Sequence, residues 1–163
     1  MSNLGDKLQR TSANQVKFGF IVPQDLKQRR YDRMYMKVAY TIANEMSHAT
    51  RKKVGCIVVK GDNIIAHSWN GTPAGFDNKC ETHTPTGNLV TKPEVMHAEL
   101  NAIAKLARNG NSAQNATMYL TLSPCINCAK LIYQAGISRV VYCEQYRNTE
   151  GIDFLQKTGC QIM

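Results

Sequence analysis

The chain has 163 residues, which suits one compact domain with a sizeable core. Hydrophobic residues make up 43%, as in an ordinary soluble globular protein, and no apolar run approaches the roughly 20 residues that span a bilayer. The opening MSNLGDKLQR lacks the apolar stretch of a secretion signal, so a cytoplasmic protein is expected; the formal charge of +8 fits either a solvated basic surface or attraction for nucleic acid or a phosphorylated small molecule.

Residues 1–28 show no clear periodicity and read as a loosely attached extension to a domain of residues 29–163. From Tyr31 to about Ser47 an imperfect apolar stripe at helical spacing runs through Met34, Val38, Tyr40, Ile42 and Met46. Two β-branched runs, Val54–Val59 and Ile64–His67, flank Gly61-Asp62-Asn63 and predict a hairpin. Residues 70–93 are rich in Gly, Pro, Thr and Asn and read as a long loop, a feature that tends to be functional inside a compact domain. A helix is expected from near Val95 to about Arg108, stopped by Asn109-Gly110. Thr117–Leu122 alternates like a strand, and Pro124 fits the start of a helix from Cys125 to about Gln134. A strand at Val140–Cys143, a short helix at Ile152–Lys157 and a last strand at Cys160–Met163 complete the chain. Strands alternating with helices predict an α/β sandwich whose later strands are parallel.

Six cysteines are present, and without an export signal a close pair reads as metal-binding or catalytic. Two short segments concentrate the chemistry: His97-Ala98-Glu99 and Pro124-Cys125-Ile126-Asn127-Cys128. Cysteines at i and i+3 at a helix start face one side, and the positive helix terminus favours thiolates. With His97 they make three ligands, which leaves the fourth position of a zinc ion for water; a structural zinc staple would need a fourth ligand, and none stands at the usual finger spacing. The combination matches the signature of zinc deaminases. Glu99, two residues past His97, is then the candidate proton shuttle between the water, the pyrimidine N3 and the leaving ammonia.

The resemblance extends well beyond that signature. Val54-Gly55-Cys56, the Trp69–Gly75 loop, HAELNAI at 97–103, ATMYLTLSPCINCAKLI at 116–132 and VVYCEQY at 140–146 resemble deoxycytidylate deaminases of the cytidine/deoxycytidylate deaminase family, especially T-even-type phage members. The similarity covers residues 31–163. It implies a cytidine-deaminase-like three-layer α/β/α sandwich around a mixed five-stranded sheet. It also implies hydrolysis of dCMP to dUMP and ammonia for thymidylate synthesis, a Zn²⁺ cofactor, a homohexamer, and effector control by dCTP with Mg²⁺ and by dTTP.

Carried over position by position, His97, Cys125 and Cys128 match the zinc ligands and Glu99 the shuttle. Asn70 matches an asparagine that contacts the nucleoside, while the Ala98 N–H and the Ser123 C=O match the groups that hold the base edge. Arg51 and Tyr146 fall where phosphate or sugar contacts are expected, with Lys52, Lys53 and Arg147 as further candidates. Trp69, Asn70 and Gly71 fall in the effector loop, where many members have Gly-Tyr-Asn-Gly and this chain has Ser68-Trp69-Asn70-Gly71. Serine for glycine removes backbone freedom there and tryptophan for tyrosine removes a hydroxyl.

The stretch from Gly71 to Met96 is shorter than in phage members with a second, structural zinc. Cys80 and His83 are either remnants of such a site or a loop thiol and an exposed imidazole. Lys105 and Arg108 end a helix that meets other subunits in the family, so they read as a subunit contact or as a solvated helix end. Cys56, Cys143 and Cys160 are expected to be buried strand residues. The alternatives are a bifunctional dCMP/dCTP deaminase, a free-cytidine deaminase, a non-enzymatic zinc-stabilised subunit, and a base deaminase acting on tRNA or single-stranded DNA. The last would want basic and aromatic residues interleaved for strand tracking, a pattern the chain lacks. Neither nucleic acid nor a membrane is the expected partner.

Overall fold

The computed structural model describes residues 24–163. Its elements in chain order are α1 (Gln24–Met46), β1 (Gly55–Lys60), β2 (Asn63–Trp69), β3 (Glu81–His83), β4 (Leu89–Thr91), α2 (Ala98–Arg108), β5 (Thr117–Leu122), α3 (Ile126–Gln134), β6 (Arg139–Glu144), α4 (Glu150–Lys157) and β7 (Gln161–Ile162). Five strands form one sheet in the order β2-β1-β5-β6-β7, and β3 pairs with β4 apart from it. β1 is antiparallel to both β2 and β5, whereas β5, β6 and β7 are parallel. The parallel neighbours are joined through α3 and α4, because two parallel strands need a long crossover.

Strand alternation sorts the core into two layers. Cys56, Val58, Met118, Leu120 and Val140 face α2, α3 and α4; Ile57, Val59, Tyr119 and Val141 face α1. Both sets are buried because helices cover both faces of the sheet. The result is the expected α/β/α sandwich. Glycine lets α1 approach closely: a Cβ on Gly55 would lie 2.1 Å from the Ala39 carbonyl oxygen. The β1–β2 hairpin turns on Gly61 and Asp62, with φ of 53° and 63°, a left-handed pair suited to a two-residue connection.

Some boundaries differ from the sequence expectation. α1 begins at Gln24, about two turns ahead of Tyr31, so residues 24–28 of the expected extension are helical; the rest of the extension lies outside the described residues. Its first turns lack a buried stripe and instead make i,i+4 pairs: Gln28 donates to Asp32 at 3.0 Å, and the Lys27 ammonium lies 5.7 Å from the Tyr31 ring centre. Further along, Asp32 accepts a two-pronged bond from Arg139 at 2.9 and 2.7 Å and another from the Tyr119 hydroxyl at 2.8 Å. Burial raises the Asp32 pKa, but the bonds from Arg139, Gln28 and Tyr119 outweigh it and hold the carboxyl below its ordinary range.

The expected loop over 70–93 contains the β3–β4 hairpin, whose residues are exposed except for the half-buried Glu81 and Val90 and show no core-facing alternation. Of the strand cysteines, Cys56 is buried as expected. Cys143 is exposed and Cys160 only half-buried: Cys143 lies on the α1 face two residues past Val141, where Tyr40 of α1 reaches it without covering it.

Candidate metal centre and catalytic pocket

The ligand-bearing residues sit at the N-caps of two helices. His97 precedes α2 and Cys125 precedes α3, and neither helix has a side-chain cap. A good cap is worth about 1 kcal/mol. α4, which starts after Thr149, also lacks a side-chain cap, so what sets α2 and α3 apart is that metal-ligand types stand at their N-cap positions. The two helix starts also aim their positive ends at the same point.

The His97, Cys125 and Cys128 donor atoms all lie within 4.8 Å of one another, and among the described residues no other group of three ligand types converges this way. The His97 Nδ1 is 3.7 Å from the Cys125 sulfur and 3.4 Å from that of Cys128. A tetrahedral zinc with Zn–S near 2.3 Å and Zn–N near 2.0 Å would place nitrogen and sulfur about 3.5 Å apart. The donor set and its spacing therefore fit zinc. Hydrogen bonds from Cys128 and His97 pull the Cys125 thiol down to about 3, and the same bond together with burial pushes the Cys128 thiol up, so the pair shares one proton that a metal would displace.

Glu99 is 4% exposed in the first turn of α2. Burial raises its carboxyl above the ordinary range, against weaker pulls from its own backbone N–H and from His97. The Ala98 N–H belongs to the first turn of α2 and has no intrahelical acceptor. Its peptide is also braced from behind, where the buried Ser68 hydroxyl donates to the Ala98 carbonyl at 2.6 Å. The serine that departs from the family's glycine thus supports the helix that carries Glu99.

A cavity of about 290 Å³ opens over these groups, and its walls bring Arg51, Lys52, Asn70, Tyr146 and Arg147 to the same space as His97, Glu99 and Cys125. Two walls are irregular segments held by side chains. Asn70 Oδ1 accepts from the Ser47 hydroxyl and the Val54 N–H, both at 2.8 Å, and its Nδ2 donates to the Lys52 carbonyl at 2.9 Å. Three of the four amide hydrogen-bond positions therefore brace residues 47–54, and one N–H remains. Ser123, 2% exposed, accepts from the Tyr146 N–H at 2.7 Å and from Gln145 Nε2 at 3.1 Å, which ties the Tyr146-Arg147 segment to the end of β5. Lys53 turns away and donates to the Asn44 carbonyl at 2.8 Å.

Residues 29–144 match the family described as the cytidine and deoxycytidylate deaminase zinc-binding region. The chain belongs to this family. The dCMP deaminase of cyanophage S-TIM5, crystallised with dCMP and dUMP, is 43% identical; the match covers 82% of this chain and 96% of that one, with a TM-score of 0.75. The deoxycytidylate deaminase of Enterobacteria phage T4 is 36% identical over 166 residues, 78% of this chain and 86% of that protein. The Saccharomyces cerevisiae deoxycytidylate deaminase is 34% identical over 138 residues, 81% of this chain and 44% of the yeast protein.

Within this deaminase fold the other sequence candidates divide. Trp69 leaves the catalytic pocket and lines a second cavity of about 500 Å³ with His48, Phe76, Lys105 and Arg108; Asn70, one residue on, faces the first. The Lys105 ammonium lies 4.5 Å from the Trp69 ring centre and donates to the His67 carbonyl at 3.1 Å. Gly71 instead bridges to Met96 just ahead of the His97 ligand. Cys80 is buried just ahead of β3 and His83 is exposed at its end, and among the described residues neither belongs to a group of three converging ligand types. No helix among the described residues is long and apolar enough to cross a membrane.

Gly151 is a residue that sequence reasoning missed. It packs the start of α4 on the metal loop so tightly that a Cβ would lie 2.1 Å from the Pro124 carbonyl oxygen. Its signal, a glycine inside a helix, is visible only once the neighbour is known.

Proposed function

We propose that this protein hydrolyses dCMP to dUMP and ammonia. The observation that carries the reading is one cavity in which His97 and Cys125 of the metal triad and buried Glu99 share walls with Arg51, Lys52 and Arg147, cations suited to a 5′-phosphate. The phage relatives that share most of its length support the same substrate.

In this reading His97, Cys125 and Cys128 hold zinc, which when bound supplies an activated water as nucleophile. The Ala98 N–H donates to the base carbonyl and the Ser123 carbonyl accepts from the 4-amino group, which presents C4 to the water. Glu99 takes a proton from the water and delivers it to N3, raising the electrophilicity of C4. It then passes the second water proton to the departing amine. The C4–N4 bond breaks, oxygen stays on C4, and ammonia leaves. A carboxyl raised by burial suits both steps, because its carboxylate is then a stronger base towards the water and its acid form persists long enough to protonate N3 and the amine. Asn70 offers its remaining N–H to the sugar. Arg51 and Tyr146 face the phosphate end, where the planar guanidinium can make paired bonds to phosphate oxygens.

The proposal extends to a cytoplasmic homohexamer with dCTP, Mg²⁺ and dTTP as effectors. The cavity beside Trp69 supports the effector part, since Lys105, Arg108 and His48 give it a basic wall. Turnover of dCMP, deoxycytidine, dCTP, cytidine and a tRNA substrate tests the function, with dCMP expected to lead deoxycytidine by about ten- to a hundredfold in kcat/KM, as a charge-assisted phosphate contact allows. Equal constants for dCMP and deoxycytidine would refute the nucleotide reading. Light scattering with and without dCTP tests assembly and control, and a monomer at micromolar concentration would refute the hexamer.

A further inference from the structure

Arg51 lies on a segment with no regular structure between α1 and β1, so its aim depends on what grips that segment. Two carboxylates do so from different sides. Glu144 of β6 accepts from the Lys52 ammonium. Glu81, the first residue of β3, takes the backbone: its Oε1 accepts from the Thr50 N–H at 3.1 Å and the Arg51 N–H at 3.2 Å, and its Oε2 lies 3.2 Å from the Thr50 N–H. Thr91 stands directly opposite Glu81 in the β3–β4 ladder, and its Oγ1 accepts from the Arg51 guanidinium at 3.2 Å. One cross-strand pair therefore holds both the backbone and the side chain of Arg51. Glu81, Thr91 and Arg51 line the cavity that contains Glu99.

An acid at that place needs a reason. A carboxylate close to a phosphate dianion repels it, and removing the charge would favour a nucleotide unless the acid serves some other purpose. Here its oxygens are turned onto backbone donors of the segment that presents the cation. Resting on the nucleotide reading above, we propose that Glu81 is a positioning residue that aims Arg51 at the 5′-phosphate. The β3–β4 hairpin is then the device that makes the enzyme prefer a nucleotide to a nucleoside.

The geometry separates this role from a plain effect of charge. Oε1 alone accepts from both N–H groups, so Glu81→Gln keeps the clamp through its carbonyl oxygen and loses only the charge. Glu81→Ala loses both. The test measures kcat and KM of the zinc-loaded enzyme on dCMP and deoxycytidine at fixed salt. It compares wild type, Glu81→Ala, Glu81→Gln, Arg51→Ala and the Arg51→Ala/Glu81→Ala double variant.

Glu81→Ala is expected to raise KM for dCMP about tenfold, mostly without loss of kcat, and so to narrow the preference over deoxycytidine. Glu81→Gln should keep the preference within about twofold of wild type or widen it, and Glu81→Ala should narrow nothing further in the Arg51→Ala background. An unchanged preference in Glu81→Ala, an equal loss on both substrates, or a glutamine variant as impaired as the alanine one overturns the assignment while the wild-type preference stands. A wild type that treats dCMP and deoxycytidine alike overturns the nucleotide reading itself, and the assignment with it.

Discussion

At the metal end of the pocket the ligand side chains and Glu99 sit immediately ahead of, or in the first turn of, α2 and α3, helices whose inner faces are anchored by the fully buried Ala102, Ala129 and Ile132. At the other end Arg51, Lys52, Tyr146 and Arg147 sit on segments without regular structure, held by the side chains of Glu81, Asn70, Glu144 and Ser123. On the proposed function, chemistry and substrate choice thus have separate supports: a packing error in the core would reach the metal ligands, and loss of a single polar side chain such as Glu81 or Asn70 would reach the grip on substrate.

The sharpest way to break that division is at the ligands. Cys125→Ala or Cys128→Ala is expected to abolish both zinc binding and turnover, because two remaining ligands hold zinc poorly. Metal analysis that finds stoichiometric zinc in either variant would overturn the ligand set. Next in size, Glu99→Gln should retain zinc while turnover falls at least about 100-fold, the lower range for a lost general acid–base. Metal content and rate measured on one sample check it, and near-wild-type turnover would remove Glu99 from the shuttle role.

Gly151→Ala probes the metal end through packing alone. Its Cβ would collide with the Pro124 carbonyl, which is backbone and cannot swing aside. A loss of about 2 kcal/mol is expected, with weaker zinc affinity and an unaltered ratio of dCMP to deoxycytidine constants. Denaturant unfolding with and without zinc measures it; a shifted substrate ratio would show that the two ends are not separately supported.

The smallest effect lies away from both ends, where α1 is tied to the sheet. Asp32 has a folded pKa below the ordinary value of 3.8, so its contribution is fully present above that value and is lost as pH falls through the lower folded one. Asp32→Asn should therefore cost about 1 kcal/mol at pH 7, with the wild-type and variant stability curves converging below about pH 4. Curves that stay parallel down to acid pH would show that the Asp32–Arg139 pair does not supply the stability.

How much of this was legible in the chain varies with distance along it. His97, Glu99, Cys125 and Cys128 lie in two short segments whose spacing already implies a shared face at a helix start, and the structure brings three of them within ligand distance. Asn70 was legible as a site residue but not as the brace of residues 47–54, since its partners Ser47, Lys52 and Val54 carry no pattern that names it. The β3–β4 hairpin was hidden because its strands are too short and too exposed to alternate, and α1 was cut short because its first turns rest on i,i+4 pairs instead of an apolar stripe.

By itself the sequence determined the α/β layering and the metal-ligand set and singled out Glu99 beside it, because each depends on periodicity or on contacts a few residues apart. Only the tertiary structure decided that Ser68 braces Ala98, that Gly151 presses on the metal loop, and that Glu81 faces the Arg51 backbone 30 residues away. These contacts join elements that the chain separates widely. Whether such a polar side chain meets a partner or only water is set by how the layers stack, and that arrangement leaves no local pattern to read.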